Sequence, residues 1–184
     1  MKAKNLCIIP ARVGSKRISR KNIKIFKGKP INAYSIISAI ESELFDEVMV
    51  STDESEIAEI AKSYRATIPF IRSEQNSNDF ATTADVLFEV INSYQSIWKE
   101  FDNICCIYPT ALFVNADRLI EGFEILSNGP DSMLPLLSFD YPIWRSFKVN
   151  ENSCLENNWS EFSNIRSQDL STAYHDAEQW NGIG

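Results

Sequence analysis

Histidine occurs once in this chain, at His175, and cysteine four times, at positions 7, 105, 106 and 154. No cysteine pair has metal-ligand spacing, so the common zinc designs are excluded. Cys105 and Cys106 sit inside an apolar run, which reads as reduced, buried thiols of a cytoplasmic protein. No apolar run approaches the roughly 20 residues of a membrane span. Residues 6–9, the one apolar stretch near the N-terminus, are too short for a secretory signal. Neither Gly-x-x-x-x-Gly-Lys-Ser/Thr nor Gly-x-Gly-x-x-Gly occurs. Internal repeats and low-complexity linkers are also missing. The 184 residues, 44% hydrophobic and 23% charged, are therefore expected to form a single domain, 1–184, with a real core.

The longest stretch without an acidic side chain is at the N-terminus. None of the 25 Asp and Glu lies in residues 1–40, which hold ten of the 18 Lys and Arg, although the net charge is −7. The cations are densest from Arg12 to Asn22, directly after the apolar run at 6–9. A buried strand opening into a cationic loop with Gly14 and Ser15 can turn backbone N–H groups and side-chain charges onto one phosphate cluster. In an acidic protein that positive charge has to be local to be useful. Charge alone also allows a solvated loop. Overall acidity, and no aromatic before Phe26, argue against a nucleic-acid patch.

Strand-like and helical patterns alternate along the chain. Strands are predicted at residues 6–9, 47–51, 67–71, 103–108 and 132–139, and helices at 30–42, 54–64, 82–99 and 115–127. Pro30 suits a first helical position, Asp53 or Ser55 a cap for the second helix, and Asn128-Gly129-Pro130 a stop for the fourth. This alternation predicts an α/β fold with a mostly parallel sheet and helices on both faces. Its ligand belongs outside the C-terminal strand ends, at residues 10–22, 51–53, 72–83 and 109–113. After residue 140 the pattern changes. Residues 142–149 and 153–156 flank Asn150-Glu151-Asn152 as a hairpin would, and 157–172 are polar and irregular. Segment 140–172 is expected to protrude and to cover the site or meet a second subunit.

The run Ile9-Pro10-Ala11-Arg12-x-Gly-Ser15-Lys16-Arg17-Ile18-x-Arg-Lys21-Asn22, with Gly28-Lys29-Pro30 behind it, resembles the opening motif of the acylneuraminate cytidylyltransferases, the CMP–sialic acid synthetases and their relatives. Val50-Ser51-Thr52-Asp53, Phe70-Ile71-Arg72-Ser73, Asp79-x-Ala81-Thr82 and Tyr108-Pro109-Thr110-Ala111 extend the resemblance over nearly the whole chain. Tyr108 in place of Gln, and Arg166-Ser167-Gln168-Asp169-Leu170 followed by Ala173-Tyr174-His175-Asp176-Ala177, are similar to the pseudaminic acid branch.

The resemblance implies a Rossmann-like three-layer α/β/α nucleotide-diphospho-sugar transferase fold with a protruding hairpin. It implies transfer of CMP from CTP to the anomeric hydroxyl of a nonulosonic acid, for bacterial surface or flagellar glycans, by a cytoplasmic homodimer using Mg²⁺. The alternatives it leaves are a CMP-N-acetylneuraminate synthetase and a truncated CTP-binding paralogue without turnover. Arg12, Ser15 and Lys21 would hold the phosphates with Lys16 nearby, Arg12 and Lys21 acting on the charge that develops there. Asn22 and Arg72 would contact cytidine, and Asp79, Thr82 and Thr83 would line the nucleotide pocket. Tyr108 and Thr110 would sit at the sugar, Arg166 would take its carboxylate bidentately, and Gln168 and Tyr174 would add polar contacts. Without the resemblance, Asn22 also reads as a turn residue, Arg72 as an exposed charge, Thr110 as a loop cap, Tyr108 as core, Arg166 as a partner for Asp169, and His175 as a structural hydrogen-bonder.

Ser19 and Leu112 stand where the family carries Pro, and Glu178 where it carries Gly. Family members also continue for several dozen residues, with a further strand, a closing helix and the Asp pair that holds Mg²⁺. Asp53 and Asp176 are carboxylates near the expected site, but neither matches the metal motif, so the metal ligands stay unassigned. The chain is accordingly read as a fragment, a frameshifted copy or a degenerate relative. CTP binding with weak turnover is expected, to be checked by pyrophosphate release.

Overall fold

Strand β1, Asn5–Pro10, is buried up to its half-buried last residue, as expected of a strand with cover on both faces. The computed structural model describes residues 3–12, 14, 18 and 20–184. Two compact units emerge, Met1–Leu134 with Glu178–Gly184, and Pro135–Ala177.

In the first unit, β1 is followed by a small hairpin, β2 (Ile25–Phe26) and β3 (Lys29–Pro30). Its turn places Gly28 at φ 86, a left-handed conformation that glycine adopts without a Cβ penalty. Then come α1 (Ile31–Glu41), β4 (Glu47–Ser51), α2 (Ser55–Ser63), α3 (Thr83–Ser96), β5 (Asn103–Ile107), α4 (Ala116–Leu126) and β6 (Ser132–Met133). The second unit holds β7 (Leu136–Ser138), β8 (Phe147–Val149), β9 (Leu155–Asn157) and β10 (Tyr174–Asp176), and β11 (Trp180–Ile183) returns to the first. The main sheet runs β4-β1-β5-β11-β6. β1 is parallel to β4 and β5, and β11 is antiparallel to β5 and β6. The sheet is thus mixed and mostly parallel.

Side-chain alternation divides the core. Cys7 and Ile9 point to one face with Ile36 and Ala39 of α1, Ile57 and Ala61 of α2, Leu119 of α4 and Trp180 of β11. Leu6, Ile8 and Met49 point to the other, against Val90 and Tyr94 of α3. Three helices cover one face and one the other.

Four expectations change. Residues 67–71 do not form a strand: Thr67 makes a single parallel bridge to Met49. Pro69, two residues on, has no N–H to continue a ladder. The strand expected over 132–139 divides into β6 and β7 around Leu134-Pro135 for the same reason. Neither Asp53 nor Ser55 caps α2, whose N-cap is Glu54 without a side-chain bond. Thr52 Oγ1 instead accepts the Glu54 N–H at 3.2 Å. Finally β11, not predicted, enters the sheet beside β5. Its Trp180 is buried against α4, where a Cβ on Gly122 would lie 2.1 Å from the indole Cη2. Gly122 is what lets this helix approach the strand.

In the second unit β7 and β10 pair antiparallel, as do β8 and β9. The expected hairpin forms, with its strands at 147–149 and 155–157 and its turn at the Asn-rich segment.

Candidate nucleotide site at the strand ends

Past β1 the backbone stays joined to β4, the Ala11 N–H donating to Ser51 O at 2.9 Å. The cationic loop then closes on a 3-10 turn, Lys21–Ile23. Asn22 is the clasp of this loop. It is buried, and its Nδ2 donates to Arg12 O at 2.7 Å. Its Oδ1 is equally buried and has no hydrogen-bond partner among the described residues. An unpaired acceptor under cover is costly unless a ligand or water supplies a donor. Lys21, half-buried, lies on the same turn. Arg20, left-handed at φ 53, pairs with Glu56 of α2. Ser15 and Lys16, assigned to the phosphates from sequence, lie outside the described residues.

Arg72 is not the exposed strand-end charge that its position allowed: it is only 6% exposed. Its backbone N–H donates to Thr52 O at 3.0 Å, which extends the chain alongside β4 after the bridge at Thr67. Its Nε donates to Ser51 Oγ at 3.0 Å and its Nη2 to Ser51 O. Among the described residues no carboxylate bonds it directly. Burial pushes its pKa below the usual arginine value, and the nearby Arg12 charge pushes the same way, while Asp53 and Glu89 push back. The fold therefore brings two guanidinium groups together at the ends of β1 and β4, one of them buried on neutral partners. An anionic ligand would complement this pair further.

Asp79 complements the pair in part. Arg12 Nη1 donates to Asp79 Oδ1 at 2.8 Å and to Asn78 O at 3.0 Å. The turn presenting these groups is self-supporting. Asn78 Nδ2 donates to Gln75 O at 2.6 Å, and its Oδ1 accepts the Phe80 and Ala81 N–H groups at 2.7 and 3.0 Å. Glu89 of α3 holds the start of the turn, accepting from the Ser73 N–H at 2.6 Å. Thr82 holds its end as the N-cap of α3: it accepts from Asp85 N, while its own N–H and hydroxyl donate to the Asp85 carboxylate at 2.8 and 2.7 Å. Thr82 is thus occupied by capping, and Thr83 follows half-buried in the first turn.

The segment after β5 is fixed by main-chain bonds. Ser35 Oγ of α1 donates to Tyr108 O at 2.8 Å, and the Tyr108 N–H donates to Gln179 O at 3.0 Å. Tyr108 packs half-buried against the core. Thr110 is half-buried, its carbonyl accepting the Leu112 N–H at 2.9 Å. Arg166, Gln168 and Tyr174 lie in the second unit. Arg166 Nε donates to Asp169 Oδ2 at 2.8 Å across the 3-10 turn that carries Gln168. Tyr174 is 60% exposed on β10. His175 shares a hydrogen bond with Asp176 O and lies against Phe139.

Ser51, Asn78 and Glu89 were missed from sequence. Ser51 and Glu89 show their roles only once Arg72 and residues 73–76 are folded over them. Asn78 had a signal, since Ser77-Asn78-Asp79 is turn chemistry. Among the described residues no three His, Cys, Asp or Glu side chains gather as a metal cage, and Asp79 is already engaged by a cation. This donor set does not fit a protein-built Mg²⁺ site. The buried thiols are not nucleophiles: burial pushes Cys7 and Cys105 well up, and Cys106 to about 12.

The cytidylyltransferase family matches residues 6–179. The chain is 45% identical to a pseudaminic acid cytidylyltransferase of Campylobacter jejuni, over 95% of this chain and 75% of that protein. It is 32% identical to a CMP-N,N'-diacetyllegionaminic acid synthase of Legionella pneumophila, over 71% of this chain and 60% of that protein. Among solved structures, a CMP:2-keto-3-deoxy-manno-octonic acid synthetase complexed with CTP superposes with a TM-score of 0.71 at 17% identity, covering 98% of this chain and 74% of that one. At that identity the likeness is one of fold.

Proposed function

We propose that this chain, which belongs to the cytidylyltransferase family, transfers CMP from CTP to the anomeric hydroxyl of pseudaminic acid. The sugar oxygen forms a bond to the α-phosphorus, the bond from that phosphorus to the β-phosphate oxygen breaks, and pyrophosphate leaves with the electron pair. Little of this needs covalent help from the protein, so catalysis is placement and compensation of charge. Arg12 and Lys21 meet the phosphates, with Ser15 and Lys16 of the same loop. Asn22 and Arg72 take the cytidine, where Asn22 Oδ1, without a partner among the described residues, suits an N–H donor such as the cytosine amine. Asp79, Thr82 and Thr83 border the nucleotide. Tyr108 and Thr110 face the sugar, and Arg166, with Gln168 and Tyr174, serves its carboxylate and polar groups. Mg²⁺ belongs to the expected chemistry, but the described residues hold no cluster of three ligating side chains for it, and no step here is routed through it. The protein is placed in the cytoplasm, as a homodimer.

The observation that carries this reading is the pairing of Arg12 with a buried Arg72 beside an unsatisfied Asn22 carbonyl. Thermal-shift titration with CTP, UTP, ATP and GTP tests it. CTP is expected to raise the midpoint most, and equal shifts from all four would refute a cytidine site. Pyrophosphate release with pseudaminic, legionaminic and N-acetylneuraminic acids then sorts the sugar, the identity to the Campylobacter jejuni protein favouring the first.

A further inference from the structure

Asp79 occupies the place on Arg12 where a phosphate oxygen would bind. Its Oδ1 is 2.8 Å from Arg12 Nη1, and the pair is about one-third exposed on each side. Water and a competing anion can both reach it. The carboxylate also comes on a preorganised turn: Asn78 closes that turn from within, and the Glu89 and Thr82–Asp85 bonds anchor its two ends to α3. The bonds that shape residues 75–81 therefore do not depend on Arg12. Arg72, close enough to feel the Arg12 charge, is buried with no carboxylate bonded to it among the described residues, and Asp53 and Glu89 offset part of its charge from nearby.

Resting on the nucleotide assignment above, we propose that Asp79 is a displaceable counter-ion of Arg12 rather than a ligand of the nucleotide. It neutralises the arginine pair in the free enzyme, yields to the triphosphate when CTP binds, and returns to Arg12 as pyrophosphate departs. A triphosphate has enough charge to win this competition, while a small anion or a departing product is held less firmly. Asp79 thus sets how tightly pyrophosphate is retained, and acts as a specificity and release residue of the known reaction. Phe80, 92% exposed on the same turn, reports its movement.

The test compares the full-length wild type with Asp79→Asn, Asp79→Ser and Arg12→Ala, using inorganic pyrophosphate and CTP as titrants in calorimetry. Removing an exposed competitor of this kind is expected to tighten pyrophosphate by about two- to fivefold. Pyrophosphate inhibition should strengthen by the same factor, and Arg12→Ala should weaken both ligands. Agreement between the Asn and Ser variants separates loss of the charge from any folding defect. Weaker binding of both ligands in the Asp79 variants would make Asp79 a ligand contact and overturn the competition. Unchanged binding would show the pair to be idle and overturn it too. If Arg12→Ala leaves CTP affinity intact, the nucleotide site itself is misplaced and both readings fall.

Discussion

Arg72 shows how a single residue can carry a cost that only a ligand removes. A buried guanidinium held, among the described residues, by Ser51 alone destabilises the free protein at any pH below its folded pKa, because the depressed value means the charged form is disfavoured on folding. Arginine stays protonated in proteins, so no pH dependence arises in the physiological range. Replacing a buried charge with an apolar side chain of similar length is often neutral or stabilising. Arg72→Met is therefore expected to keep or raise the midpoint of thermal unfolding. Ser51 O is not orphaned by this change, since it still accepts from Ala11 N. The same variant should lose most of the CTP-induced shift. A large fall in the ligand-free midpoint would mean that Arg72 is a structural tie instead. Nothing in the residue type foretold burial: an arginine after an apolar run reads as exposed until the bond from its N–H to Thr52 O carries the chain along β4.

At the scale of elements, the start of α3 and the seat of α4 are each decided by few atoms. Thr82 and Asp85 form a reciprocal cap, a pattern visible in Thr-x-x-Asp spacing before the apolar stripe of Val86 and Val90. Thr82→Ala should cost about 1 kcal/mol in urea unfolding. The Thr82 hydroxyl and N–H hold the Asp85 carboxyl below its ordinary range. A carboxyl with a depressed folded pKa contributes stability above its unfolded value, about 3.9, and loses it as pH falls through the folded one. The difference in thermal midpoint between wild type and Asp85→Asn should therefore shrink below about pH 4; a constant difference down to pH 2.5 would rule out the carboxylate's part in the cap. Against α4 the constraint is steric. A methyl at Gly122 would enter the Trp180 ring, so Gly122→Ala should destabilise by about 1–3 kcal/mol or more. Trp180→Phe in that background should recover part of the loss. Equal stability of Gly122→Ala and wild type would show that α4 can move away freely.

Over the whole molecule, the hairpin of the second unit is amphipathic. Val149 and Leu155 are paired across it with Phe147 on the same side, all more than half exposed, while Lys148 and Glu156 pair on the opposite side at 3.6 Å. An apolar face left in water favours association. Val149→Lys with Leu155→Lys should convert the proposed homodimer into a monomer by light scattering, and an unchanged mass would place any interface elsewhere. The strand–helix alternation, the charge-segregated loop after β1 and the turn around Asn150 were all readable in the chain, because periodicity, charge and turn chemistry are local properties. Three features needed the tertiary structure: the burial of Arg72, the engagement of Asp79 by Arg12, and the return of Trp180–Ile183 into the sheet. Each depends on partners tens of residues away, and neither an ion pair nor a sheet edge has a periodicity of its own. Local order was thus written in neighbouring residues, whereas the electrostatics of the site arose only where distant segments converged at the strand ends.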